Sequence, residues 1–365
     1  MNKAALKTNI NGLPLNRIRH IGKRLCTAYP RHRPHSGTRC SARVVIASML
    51  FMVLALCVTD VAWANKTTRI LLIQAKESAI YSDVRKSLSE TLSNYGVNEY
   101  NLSLKILSNN SESKPVNNTE LGQTDLIVTI GTKAGQQILP LDLPLPVLSI
   151  LIPKDAYETI THNGNQKTVN NINHERSAIF LDQPLDRRFA LIKTLLPDTK
   201  RVGVLLGPSS SKTLPQLKEL AQQHGFKLQV EQLKQESNAI KAIQRMTSSS
   251  DTVLAIYDRL VLNPTTAKWL LYITYQHRVP VIGFSHAYVE AGALASVYSS
   301  FQQIGQQAAE TILNAEKHAW HLGKPQYPQH FANAINHSVA RSLHINIIDE
   351  VQLKKKLIEL EKDVE

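Results

Sequence analysis

From Arg69 onward, short apolar runs alternate with stretches whose apolar residues recur every three or four positions. The runs Arg69–Gln74, Leu102–Leu107, Asp125–Ile130 and Pro146–Ile152 read as strands of a first half. Val84, Leu88 and Leu92 share one side of a helix that Gly96 stops, and a second helix runs from Gly131 to Leu139. Residues 108–124 and 162–173 are polar and read as surface connections. The grammar then repeats. Strands are predicted at Ala178–Leu181, Val202–Leu206, Lys227–Leu233, Thr252–Tyr257, Pro280–Phe284 and Leu294–Tyr298, with at least one more inside Phe331–Ile345. Helices are predicted at Pro184–Leu196, Leu214–His224, Ala239–Met246, Thr265–His277 and Gln302–Leu313. The closing segment 349–365 carries Leu353, Leu357, Leu360 and Val364 on one stripe, which predicts packing on a lobe. Continuous apolar strands between helices imply parallel sheets covered on both faces, hence an α/β fold of two doubly wound lobes with a cleft between them.

The first 64 residues follow a different rule. They hold ten Lys/Arg and one acid, Asp60, with an apolar run from Val44 to Val58 and then Ala62-Trp63-Ala64. A basic region, an apolar core and an A-x-A site predict a Sec-type signal peptide cut after Ala64, and so a periplasmic protein; an uncleaved leader would anchor it. The whole chain has 42 basic and 29 acidic side chains, net +13; without the leader 32 and 28 remain, net +4. That near balance removes the main support for a nucleic-acid partner. All three cysteines, Cys26, Cys40 and Cys57, lie in the leader, leaving an exported chain with no thiol to mispair.

Candidate chemistry gathers where strands end. Gly131-Thr132-Lys133 turns a strand into a helix, where free amides and a lysine favour an anion. Gly207-Pro208-Ser209-Ser210-Ser211-Lys212 lacks the glycine a phosphate loop places before its lysine, so its serines are read as hydrogen-bonding groups for a ligand. Gly283-Phe284-Ser285-His286-Ala287 partly mimics a nucleophile elbow, which makes a serine hydrolase using Ser285 one alternative. Tyr257, Phe284, Tyr288 and Tyr298 fall near strand ends, where rings either stack on a ligand or pack a lobe. His318-x-x-His321 has no nearby cysteine or carboxylate at ligand spacing, so no metal site is expected.

Several segments in order resemble one family. They are Asp125–Thr132 (DLIVTIGT), Leu191–Leu205 (LIKTLLPDTKRVGVL), Val279–Ser285 (VPVIGFS), Glu290–Tyr298 (EAGALASVY) and Gln303–Ala309 (QIGQQAA). Together they resemble the substrate-binding proteins of ABC transporters that include the tryptophan/tyrosine-binding proteins, of type I periplasmic-binding architecture. The resemblance implies two lobes joined by three crossovers, placed near Phe180, Leu294 and Gln326. Lobe 1 is then 65–180 with 294–325, and lobe 2 is 181–293 with 326–365. It implies ligand contacts from Thr132, Lys133, Ser209, Ser210, Asp258, Arg259, Ser285, His286 and Tyr298. Lys133, Arg259 and His286 depart from the family pattern, and two cations at the cleft lip suit an anionic group. The expectation is a monomeric, non-enzymatic, cofactor-free binding protein that closes on a small polar or anionic ligand and presents it to an inner-membrane ABC permease. The alternative partner is a membrane sensor or kinase.

Overall fold

The computed structural model describes residues 67–96, 98–107, 116–163 and 175–362. The expected leader, residues 108–115 of the connection 108–124 and the polar segment after Asn163 lie outside the described residues.

The first sheet is wholly parallel. Its strands are β1 (Thr68–Gln74), β2 (Tyr100–Ile106), β3 (Leu126–Ile130), β4 (Val147–Ile152) and β5 (Arg176–Phe180), in the order β2-β1-β3-β4-β5. Helices α1 (Ala79–Tyr95), α2 (Asn118–Gly122), α3 (Thr132–Ile138) and α4 (Lys154–Asn163) connect them. Helix α4 was not legible as a helix, and it carries the chain through His162, where the polar loop was expected to start. Among its described side chains only Tyr157 is well buried, a pattern too weak to announce a helix.

The second sheet repeats the winding. Helix α5 (Leu185–Leu195) leads into β6 (Arg201–Leu206), α6 (Leu214–Gln223), β7 (Lys227–Gln232), α7 (Ala239–Ser248), β8 (Thr252–Leu254), α8 (Pro264–Gln276), β9 (Val281–Ile282), α9 (His286–Glu290) and β10 (Ala295–Tyr298). The order β7-β6-β8-β9-β10 reproduces the first sheet, and β11 (Ala332–Ile335) is added antiparallel to β10. Strands β8 and β9 are shorter than expected. Beyond them the Arg188 guanidinium takes the carbonyls of Ala255 and Gly283 at 2.5 and 3.1 Å, where a ladder could have continued.

Between β10 and β11 runs the long helix α10 (Phe301–Lys317), with α11 (His337–Ser342) and α12 (Glu350–Lys362) closing the chain. Strand β10 belongs to the second sheet: Ala295 pairs with Ile282, and Ser296 with Ala334. The boundary expected at 294 therefore shifts to Ser299-Ser300, where Ser300 forms a capping box with Gln303 at the start of α10. From there Ile304, Ala308, Ile312 and Ala315 bury against the first-lobe cluster around Val84 and Leu88. Gly305 makes that contact close, since an added Cβ would overlap the Val84 carbonyl oxygen.

Both sheets are covered on both faces. In the first, Leu88, Val128 and Ile304 lie in one cluster and Ile127, Ala134 and Tyr157 in the other. In the second, Phe189, Val204 and Leu217 form one cluster and Ile243, Val253 and Leu270 the other. Helix α12 packs on the second lobe through Leu353 and Leu357, both fully buried, whereas Leu360 from the expected stripe is 40% exposed.

Candidate functional site

Ligands in doubly wound sheets bind beyond the carboxyl ends of the strands. In this chain those ends of the two sheets approach each other: Lys212 Nζ, after β6, lies 3.2 Å from Asp155 Oδ1 on α4, after β4. The chain passes between the sheets three times, at 181–184, at Ser299-Ser300 and at 318–331. Hydrogen bonds knot these passages together. Gln183 Nε2 donates to Ser299 Oγ at 2.8 Å, and Ser299 Oγ donates to the His330 carbonyl at 2.6 Å. Arg187, at the start of α5, reaches Gln183 Oε1 at 2.5 Å and the Pro328 carbonyl at 3.1 Å, and pairs with Glu361 of α12. Gln326 of the third passage adds backbone bonds to Ala178 and Phe180 at the end of β5, just before the first.

In the second lobe Ser209, Ser210 and Asp258 come together and satisfy one another. Asp258 Oδ2 accepts from the Ser209 amide (3.0 Å), the Ser209 hydroxyl (2.5 Å) and the Ser210 amide (2.9 Å), while Oδ1 accepts from the Leu260 amide (2.8 Å). The Ser210 hydroxyl accepts from the Gly207 amide at 2.9 Å. Burial alone would raise the Asp258 carboxyl, but these donors outweigh it and hold the group below its ordinary value. Asp258 is 1% exposed, so its role is to brace the two loops after β6 and β8. Gly207 is required beneath it, because a Cβ there would run into the carboxylate. Next to this brace Arg259 is exposed, with no ion pair among the described residues.

The ends of β8, β9 and β10 carry an aromatic shelf. Tyr257 meets Phe284 edge-on at 5.9 Å, Phe284 meets Tyr288 at 5.0 Å, and the His286 ring lies 5.5 Å from Tyr298. Tyr288 is buried, and desolvation pushes its hydroxyl well above the usual range. Ser285 caps α9, its Oγ accepting from the Tyr288 amide at 3.2 Å. No histidine bonds to it among the described residues; His286 instead stands 3.5 Å from Glu290. Arg188 supports the shelf from below through the two carbonyls already described. Its burial lowers its affinity for a proton to a pKa of about 10, against the favourable field of Asp182.

In the first lobe Gly131 ends β3 with φ +88°, and the Tyr81 hydroxyl occupies the space of its missing side chain. Thr132 is half-buried at the first turn of α3, and Lys133 is exposed, with no ion pair among the described residues. Beside them Arg85 binds Gln74 and Glu77 at the end of β1, and its hydrogen bond keeps the Glu77 carboxyl low. Reading the sequence missed Tyr81, the Arg85 cluster, the crossover knot and Arg188. One signal was present: Arg187-Arg188 interrupts an otherwise apolar helix face, and both are buried.

Residues 72–356 match the family model described as ABC transporter substrate binding protein. A tyrosine-binding protein of Clostridioides difficile is 22% identical over 194 residues, 52% of this chain and 54% of that protein, so the match spans about half of that relative's length. Among solved structures, a conserved domain protein of Vibrio cholerae is similar at TM-score 0.52 and 23% identity, over 80% of this chain and 98% of that one. The ABC domain of Streptococcus pneumonia in complex with L-Trp gives TM-score 0.52 and 20% identity, over 80% and 98%. The ligand-free, open form of a substrate-binding protein with adhesive properties from Clostridium difficile gives 0.60 and 18%, over 77% and 96%.

Proposed function

Since the chain belongs to the family of ABC transporter substrate-binding proteins, whose members bind solutes and are not enzymes, we propose that it is the exported binding component of an uptake system. On this reading a small ligand with an anionic group and a flat ring sits between the lobes, and the lobes close on it about the three crossovers. The observation that carries the reading is the approach of the two sheets' carboxyl ends, marked by Lys212 and Asp155, with the crossovers gathered into one knot. Lys133 with Thr132 supplies the first-lobe contact. Arg259, His286 and Tyr298 supply the second, beside the shelf of Tyr257 and Phe284. Ser209, Ser210 and Asp258 hold the loops that present them, and Ser285 caps the helix that carries His286.

Ligand that touches both lobes is fully bound only in the closed form, so it shifts the population toward closure. The closed surface is then what a membrane permease recognises. The names of two similar proteins, one tyrosine-binding and one holding L-Trp, make aromatic amino acids the first ligands to try.

A thermal-shift screen of amino acids, aromatic acids, nucleobases and sugars tests the reading. A ligand at a hundredfold excess over its dissociation constant stabilises the fold by about 2.7 kcal/mol. The reading predicts such a hit, reduced in a Lys133→Ala, Arg259→Ala variant. A hit of full size in that variant would place the ligand elsewhere.

A further inference from the structure

Helix α8 leaves three large rings in solvent. Trp269, Tyr272 and Tyr275 are 41, 54 and 49% exposed, while Leu270 and Ile273 of the same helix are buried. Trp269 and Tyr272 touch edge-to-face at 6.0 Å, so the rings form one patch. Scattered apolar side chains on a surface need no explanation; a contiguous aromatic stripe does. The two tyrosine hydroxyls are already satisfied, Tyr272 by Gln276 at 2.9 Å and Tyr275 by Ser342 Oγ at 2.6 Å.

The second of those bonds sets α11 beside the stripe, and the surroundings are cationic. Lys268, Arg278 and Arg341 are all exposed and make no ion pair among the described residues. Between Asp258 and Asp349 the second-lobe segments 259–298 and 326–348 contain one acid, Glu290, which stands beside His286. The net charge of the exported chain is small, so this basic face is a local concentration rather than a general property.

We propose that this face of α8 and α11 docks on an anionic phospholipid surface. Trp and Tyr combine an apolar body with a polar tip and settle at the level of lipid headgroups. Lysines and arginines beside them are drawn to anionic headgroups over about a Debye length. A second copy of the chain fits less well, because a two-fold contact through this patch would bring one cationic surface, with Lys268, Arg278 and Arg341, against the same surface of the other copy. Docking would hold the binding protein at the membrane independently of its ligand.

The test uses the full chain with Trp63→Phe and Trp320→Phe, which leaves Trp269 as its sole tryptophan. That readout is blind to insertion of the apolar leader. At low salt, vesicles of mixed phosphatidylcholine and phosphatidylglycerol are expected to shift Trp269 emission to the blue and to bring it within reach of a brominated-lipid quencher. Pure phosphatidylcholine vesicles and high salt are expected to do neither. A Lys268→Glu, Arg278→Glu, Arg341→Glu variant should bind more weakly by well over about a hundredfold, and the milder Lys268→Gln, Arg278→Gln pair by about thirtyfold. Absence of any shift on anionic vesicles, or a shift unchanged by both variants, overturns the proposal. A shift that grows with protein concentration in the absence of lipid overturns it in favour of a second copy, and one produced only by an acidic protein overturns it in favour of a protein partner.

Discussion

Gln183 Nε2 and Ser299 Oγ lie 2.8 Å apart and tie the first crossover between the lobes to the second. The same serine hydroxyl donates onward to the His330 carbonyl in the third. One side chain thus links all three passages of the chain. Ser299→Ala removes both bonds and strands a buried amide, with an expected loss of about 1–3 kcal/mol in urea denaturation. A loss near zero would show that the knot does not contribute to stability.

Asp258 braces the loops after β6 and β8 through four donors. Asp258→Asn keeps the shape but turns an amide against those donors, with an expected cost of about 2–4 kcal/mol at neutral pH. Those donors hold the carboxyl below its ordinary value. Its contribution is therefore present above the unfolded value and lost as pH falls through the lower folded one. Melts of both proteins between neutrality and about pH 3 should converge on acidification. A gap that stays constant would contradict the assignment.

Much of this was legible before the structure. Runs such as Asp125–Ile130 and Val202–Leu206 announced parallel strands because both faces are buried, and the repeated grammar foretold two sheets with one winding. The second crossover was misplaced because β10 is as apolar as its neighbours, and an apolar strand does not say which sheet it joins. Pairing with β9 and β11 decides that. At the site, residue types at strand ends were readable but their partners were not. Ser209 and Asp258 are 49 positions apart, and only the fold shows that they spend their polar atoms on each other. Arg188 was hidden for the same reason, since its bonds are to backbone carbonyls that carry no residue signature.

Arg188→Met should cost about 2–4 kcal/mol, since the buried carbonyls of Ala255 and Gly283 lose their shared donor. Because Tyr257 and Phe284 follow those carbonyls closely in the chain, ligand affinity should fall as well, which a titration calorimeter would read in the folded fraction.

Lys212 and Asp155 are 49 and 41% exposed, so their pairing adds little to global stability, about 0–1 kcal/mol. Their effect should be on the balance between open and closed forms. Lys212→Glu is expected to leave the melting midpoint nearly unchanged while increasing the radius of gyration in small-angle scattering. Adding Asp155→Lys should restore it.

Gly305 lets α10 lie directly on the backbone of α1 at Val84. Gly305→Ala forces the helices apart, at an expected cost of about 1–3 kcal/mol. An unchanged melting temperature would mean that the helix pair is looser than this close contact implies.

Central to the account is a ligand held by both lobes at once. Calorimetric titration of L-tyrosine and L-tryptophan, or whichever compound the thermal screen returns, into the wild type and two single variants tests this directly. Lys133→Ala alters only the first lobe and Arg259→Ala only the second. Each is predicted to weaken binding by about tenfold, or about 1.4 kcal/mol, without lowering the melting temperature of the free protein. Binding untouched by either change would contradict closure of two lobes around a shared ligand.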